Sequence, residues 1–277
     1  MQIALSTHLL VNHRLTTAAL ERIGQAGFPL IEIYCARQHL DYHSKEQIME
    51  LGHWFHDSNV KLHSLHSPTH SDKVRGRSGP QSRVNIMEPV KAKRMSSVEE
   101  IKRALDVADF IPFTYLIQHL GAGEEDFDEE RLDAALTSLE ELRLYAGQRG
   151  VSLLLENFPN CYSHAERLNY FLRTTHLNLN YCFDIGHANM TGNVEHEFSC
   201  MADRVRSTHI HDNDGVSDSH LFPIEGKGSI DWSAAMKMLA SRNGQYPLLL
   251  ELTEQPEIEH PLDVAKRIAD QLLALAQ

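Results

Sequence analysis

The sequence predicts an α/β protein built as a single (β/α)8 TIM barrel over residues 1–277. Three observations predict it. Eight short apolar runs alternate with eight helix-like segments, the pattern of a parallel sheet with crossover helices. The first strand-to-helix turn, Ser6-Thr7-His8-Leu9, lacks the glycine fingerprint that opens a dinucleotide-binding open sheet. Polar residues close six consecutive strands, and a barrel gathers such ends on one face, where an open sheet strings them along an edge.

The elements follow in order. An apolar run predicts a first strand over 2–6, and a helix follows over 16–26. The second strand, 30–34, precedes a helix over 44–57, and the third strand covers 60–66. Ser96-Ser97-Val98-Glu99-Glu100 has the capping-box pattern and predicts a helix over 96–110. After a strand over 115–119, Asp128-Glu129-Glu130 puts negative charge at the start of a helix over 128–149, which Gly150 stops. Strands over 151–156, 181–184, 205–211 and 248–251 alternate with helices over 163–174, 194–203, 231–241 and 261–276.

One segment breaks this rhythm. Residues 68–95 form a long polar stretch without periodicity, and it carries Lys73, Arg75, Arg77, Arg83, Lys91, Lys93 and Arg94 against Asp72 and Glu88. Loops of this length are often lids. This one follows the third strand, so it is expected over the active face, where it would contact an anionic substrate or a neighbouring subunit.

Composition narrows the function. The chain is 42% apolar, 23% charged and carries a formal net charge of −12, which speaks against nucleic acid or an anionic membrane as partner unless a basic patch is segregated. No apolar run reaches transmembrane length, and the first residues lack a basic leader, so a cytoplasmic protein without membrane contact is expected. Cys35, Cys161, Cys182 and Cys200 show no paired spacing and read as reduced, buried thiols.

Four charged residues carry the chemistry. Glu156, Asp184, His209 and Glu251 each close one of the last four apolar runs. A charge at the end of a buried strand is costly unless it is paired or bound to a metal. Three carboxylates and an imidazole form a ligand set for a divalent ion. A second layer surrounds them: His66 and His119 close strands three and four, His187 lies three residues past Asp184, and Asp218 and His220 follow strand seven. These read as substrate-binding residues or ligands of further ions. Lys227, between Gly226 and Gly228, is a candidate contact for a substrate oxygen. His63 reads as structural, and His39, His43, His53, His56, His164, His176, His196 and His260 carry no assigned role.

Taken together, these motifs carry a resemblance. Leu-Leu-Leu-Glu156-Asn, Phe-Asp184-Ile-Gly-His187, His209-Ile-His-Asp212, Asp218-Ser-His220 with Gly226-Lys-Gly228-Ser-Ile-Asp231, and Leu-Leu-Glu251 resemble the xylose-isomerase-like barrel superfamily. It contains sugar and sugar-phosphate isomerases and epimerases, and the metal-dependent apurinic endonucleases of AP endonuclease family 2. The resemblance implies that Glu156, Asp184, His209 and Glu251 hold one divalent metal, manganese, zinc, magnesium or cobalt. In endonuclease-like members the positions of His66, His119, His187, Asp218 and His220 complete a three-zinc cluster, so up to three ions have ligands here.

The expected activity is a metal-dependent isomerase or epimerase of a sugar, sugar phosphate or related hydroxy-carbonyl compound, with Glu156 and Glu251 as the catalytic proton carriers. The expected partners are a small sugar-like molecule and, in a homo-oligomer, further copies of the chain. The alternative is a zinc-dependent AP endonuclease, a phosphodiesterase acting on abasic DNA. A non-catalytic metal-binding barrel is the third reading.

Overall fold

A computed structural model describes residues 1–121, 123 and 125–276. Its strands are β1 (Ile3–Ser6), β2 (Leu30–Tyr34), β3 (Lys61–His66), β4 (Tyr115–Gln118), β5 (Ser152–Glu156), β6 (Asn180–Asp184), β7 (Val205–His209) and β8 (Leu248–Leu250). All neighbours pair in parallel, in the order β7-β6-β5-β4-β3-β2-β1-β8. The last seam closes just beyond the strand ends: Ile210 donates its N–H to Leu249 at 2.8 Å, and Glu251 donates to Ile210 at 3.1 Å. The eight strands therefore form a (β/α)8 TIM barrel.

The helices are α1 (Thr17–Gln25), α2 (Lys45–Asp57), α3 (Lys91–Leu105), α4 (Glu129–Gly147), α5 (Ala165–Thr174), α6 (Ile185–Met190), α7 (Val194–Met201), α8 (Trp232–Ala240) and α9 (Pro261–Leu275). Side-chain caps set several starts. Thr16, Ser44, Asp128, Asn193 and Asp231 each accept a backbone N–H from the first turn that follows. No described helix is long and apolar enough to cross a membrane.

Strand alternation divides the core in two. Leu153 and Leu155 of β5 pack outward with the helix layer. Leu154 faces inward, where it forms a small cluster with Ile117 of β4 and Cys182 of β6. Glu156 shares the parity of Leu154, so it closes the strand on the barrel side. The same alternation turns Asp184 and His209 inward at the ends of β6 and β7.

The structure corrects the third helix. It begins at Lys91, not at Ser96, and Val90 takes the cap position without a side-chain hydrogen bond. Ser97 lies inside the helix, where its hydroxyl accepts the N–H of Asn85 at 3.0 Å. The Ser-Ser-x-Glu pattern therefore serves a tertiary contact, not a cap, and Lys91, Lys93 and Arg94 belong to the first turn of α3. A short helix that the sequence reading lacks, α6, follows β6 directly: the Asp184 carboxylate accepts the N–H of His187 at 2.7 Å and starts it.

Candidate metal centre

Strand ends bring the four charged residues together. One ligand atom from each of Glu156, Asp184, His209 and Glu251 lies within 4.8 Å of the others, and all four side chains are buried. His209 is the hub. Its Nδ1 lies 2.7 Å from Glu156, 3.2 Å from Glu251 and 3.7 Å from Asp184. Its Nε2 faces the Glu32 carboxylate at 3.1 Å, and Ser64 donates to Glu32 at 2.7 Å. A carboxylate behind the far nitrogen fixes the ring and leaves Nδ1 pointed at the three acids.

This donor set fits a divalent cation. Three buried carboxylates converge on one nitrogen lone pair, an arrangement that repels itself unless a positive charge sits among them. The charge that the chain itself offers there is a proton on His209. Burial disfavours it, yet Cys182, Glu251, Glu32 and Glu156 hold the His209 pKa well above its ordinary value. Burial likewise disfavours charge on Glu156, but His209 and His119 beside it hold that carboxyl well below the usual range.

Two further clusters flank the quartet. His66 Nε2 and His119 Nε2 face each other at 3.3 Å, and they lie 3.5 Å and 2.7 Å from Glu156 Oε2. On the other side His187, His211, Asp218 and His220 form a fourfold group. His187 Nε2 lies 3.3 Å and His220 Nε2 3.2 Å from the Asp218 carboxylate, while His211 Nε2 reaches Asp184 at 3.1 Å. Burial opposes charge on both rings, but Asp184 and Asp218 raise His187 to about 10, and Asp218 raises His220 to about 9.

Three of the flanking rings share one orientation. His66 Nδ1 contacts the Ser67 carbonyl, His187 Nδ1 that of Asn157 and His220 Nδ1 that of Glu251, each at 2.9 Å. A carbonyl only accepts, so each Nδ1 carries the proton and each Nε2 is left to face the cluster. His220 accepts a left-handed backbone, φ 45°, to aim its ring, a conformation uncommon outside glycine. Two glycines make room. A Cβ on Gly186 would stand 2.0 Å from the His211 ring, and one on Gly228 would stand 1.9 Å from the Asp212 carboxylate.

The clusters form the floor of a pocket of about 210 Å³. Glu156, Glu251, His66, His119, His187, Asp218 and His220 line it directly, while Asp184 and His209 lie beneath. Its walls include His8, Tyr34 and Phe158, and its rim comes from the chain after β3 through Thr69, His70, Arg75 and Arg83. Lys227 is not brought here: its ammonium pairs with Glu257 and lies 3.4 Å from Gln255 on the exposed surface.

Sequence reasoning missed Glu32 and His211. Both had a signal. Glu32 is the one acid inside the apolar run Leu30-Ile-Glu-Ile-Tyr34, and His211 shares the strand parity of His209 two residues earlier.

Comparison with known proteins places the chain in a family. Residues 20–273 match the model of the xylose isomerase-like TIM barrel family, and the chain belongs to that family. An uncharacterized protein of Sinorhizobium fredii is 27% identical over 214 residues, 70% of this chain and 67% of its own length. Among solved structures, a D-tagatose 3-epimerase-like protein superposes with a TM-score of 0.79 at 25% identity, over 100% of this chain and 98% of its own. The IOLI protein, solved with a bound zinc atom, shares the fold with a TM-score of 0.74 at 18% identity, over 100% of this chain and 98% of its own. Other structures of this fold include sugar epimerases.

Proposed function

We propose that the protein is a divalent-metal-dependent isomerase or epimerase of a sugar or related hydroxy-carbonyl compound. One observation carries this reading: Glu156, Asp184, His209 and Glu251 converge within 4.8 Å beneath a pocket sized for a small molecule. The likeness to a D-tagatose 3-epimerase-like protein supports the substrate class.

Glu156, Asp184, His209 Nδ1 and Glu251 would hold the ion, with Glu32 behind His209. A divalent ion in that place supplies Lewis acidity at adjacent substrate oxygens and so acidifies the C–H between them. The protein supplies the proton carriers. Glu156 and Glu251 come from β5 and from the end of β8, and both border the pocket, so a bound substrate is approached by two carboxylates. One removes a proton from the acidified carbon and the other returns one. His119, 2.7 Å from Glu156 Oε2, fixes that oxygen and tempers its basicity. His66, His187 and His220 present Nε2 atoms to substrate hydroxyls.

Glu156→Gln and Glu251→Gln test the reading. Each is expected to slow exchange of a substrate carbon-bound proton with solvent by about 100- to 10,000-fold. Near-normal exchange in either variant sinks the two-carboxylate mechanism.

A second reading, a zinc-dependent phosphodiesterase on abasic DNA, draws on the two flanking clusters, which offer ligands for further ions. The net charge of −12 opposes it, since a nucleic-acid surface must neutralise several phosphates. An abasic duplex left uncut at low salt with zinc present removes this reading.

A further inference from the structure

We propose that the substrate is anionic: its phosphate or carboxylate is bound by Arg75 and Arg83 at the pocket rim, while its hydroxy-carbonyl end lies at Glu156 and Glu251. The placement of the second end rests on the isomerase reading above; the anion site does not.

The argument starts from charge. The chain carries a net −12, and the pocket floor is crowded with carboxylates. A neutral sugar needs no cation there. Yet Arg75 and Arg83 both line the pocket, and neither guanidinium has a hydrogen-bonding or ionic partner among the described residues. The one acid in this part of the loop, Asp72, is already used: its carboxylate accepts the N–H groups of Gly76 at 3.1 Å and Ser78 at 2.8 Å.

The loop is also built to hold these two residues. His70 and Arg83 form an antiparallel bridge, Ser71 donates to the Ser82 carbonyl at 2.8 Å, and Val84 donates to Thr69 at 2.9 Å. The Arg75 N–H is tied to Gln38 at 3.0 Å. Its guanidinium stands over the Tyr34 ring, 5.0 Å from the centroid, and Tyr34 stacks on His66 at 4.6 Å. The positive charge is thus set one ring, that of Tyr34, above His66, which itself lies 3.5 Å from Glu156. That separation suits a compound whose anion and reacting carbon sit at opposite ends. A guanidinium fork matches phosphate and carboxylate alike, and a stacked one binds at lower entropic cost.

Titration calorimetry on the metal-loaded protein at low salt tests this with four probes: inorganic phosphate, D-fructose, D-fructose 6-phosphate and D-fructuronate. Wild type is expected to bind inorganic phosphate, and to bind an anionic sugar at least tenfold more tightly than the neutral one. The Arg75→Gln/Arg83→Gln double variant should lose at least tenfold in anion affinity, with metal content and melting unchanged. A preference for the 6-phosphate identifies phosphate as the group, and a preference for the uronate identifies carboxylate. The proposal is overturned if wild type binds no anion, or if both proteins bind anions equally, as they would if phosphate sat only on the metal. Binding of an abasic duplex that the double variant loses, with no anionic sugar bound, also overturns it. Proton exchange at a substrate carbon is measured separately. Its absence with the anion preference intact fails the isomerase reading alone, and its presence without that preference fails this one alone.

Discussion

Glu32 does not line the pocket, yet it decides how His209 can act. It takes the Nε2 side of the ring, so Nδ1 is the atom left for the three carboxylates. Glu32→Gln keeps the volume and removes the negative charge behind the ring. Metal affinity, measured by competition with a chelator, is expected to fall about 10- to 100-fold. Unchanged affinity would make Glu32 a structural acid only. His39 offers a second test, outside the candidate metal clusters. It is wholly buried, its Nδ1 donates to the His13 carbonyl at 2.6 Å, and burial above all lowers its pKa to about 4. The fold therefore keeps His39 neutral while the unfolded chain, with an ordinary pKa of about 6.5, takes up a proton first. Its contribution to stability is complete above the unfolded value and is lost as pH falls from there toward 4. An asparagine at this position would keep the donor without titrating. His39→Asn should therefore lose less stability than wild type between neutral pH and pH 4, read by denaturant unfolding at several pH values. Parallel slopes for both proteins would contradict this.

At the scale of elements, helix α6 shows packing overruling propensity. Gly186 lies in the first turn of the helix, where alanine is worth up to about 1 kcal/mol more than glycine on propensity alone. The His211 ring occupies the space that a Cβ needs, and overpacking of this kind costs about 1–3 kcal/mol. Gly186→Ala is thus expected to lower the melting temperature and displace His211; a higher melting temperature would show that the ring moves aside freely. This helix also marks where sequence reading ends. The eight strands were legible because each is a short apolar run between polar turns, and the inward residues at their ends stood out as charges in apolar company. Helix α6 was not, because so short a helix, started by the Asp184 carboxylate, has no period to detect. The start of α3 was misplaced because Ser96 and Ser97 carry a cap pattern, while the true start at Lys91 has a cap without a side-chain bond. What Arg75 stands on was invisible for a different reason: Tyr34 lies 41 residues away in sequence and meets it only through the fold.

For the whole molecule, the candidate metal centre is also a joint. Its proposed ligands come from β5, β6, β7 and the end of β8, and the β7–β8 seam is held by the two backbone bonds on either side of Ile210. An ion bound there stabilises the strands that close the barrel, and it stabilises only the folded chain, because the unfolded chain does not assemble the quartet. Linkage then sets the size of the effect: an ion at 100 times its dissociation constant adds about 2.7 kcal/mol. For a chain of this length that amounts to roughly 5–10 °C in melting temperature. Chelation should lower the melting temperature by that amount, and added manganese or zinc should restore it. Variants locate the ion responsible. Asp184→Asn removes a quartet carboxylate and should abolish the metal-dependent shift. His220→Ala removes a ring of the flanking cluster of His187, His211 and Asp218 and the bond to the Glu251 carbonyl, but no quartet side chain, and should leave most of the shift in place. The reverse result, a shift lost with His220 and kept without the Asp184 carboxylate, would move the stabilising ion to the flanking cluster. Native mass spectrometry of the loaded protein adds the count: one retained ion fits the quartet acting alone, and three would make the flanking clusters part of the working site and return the phosphodiesterase to contention.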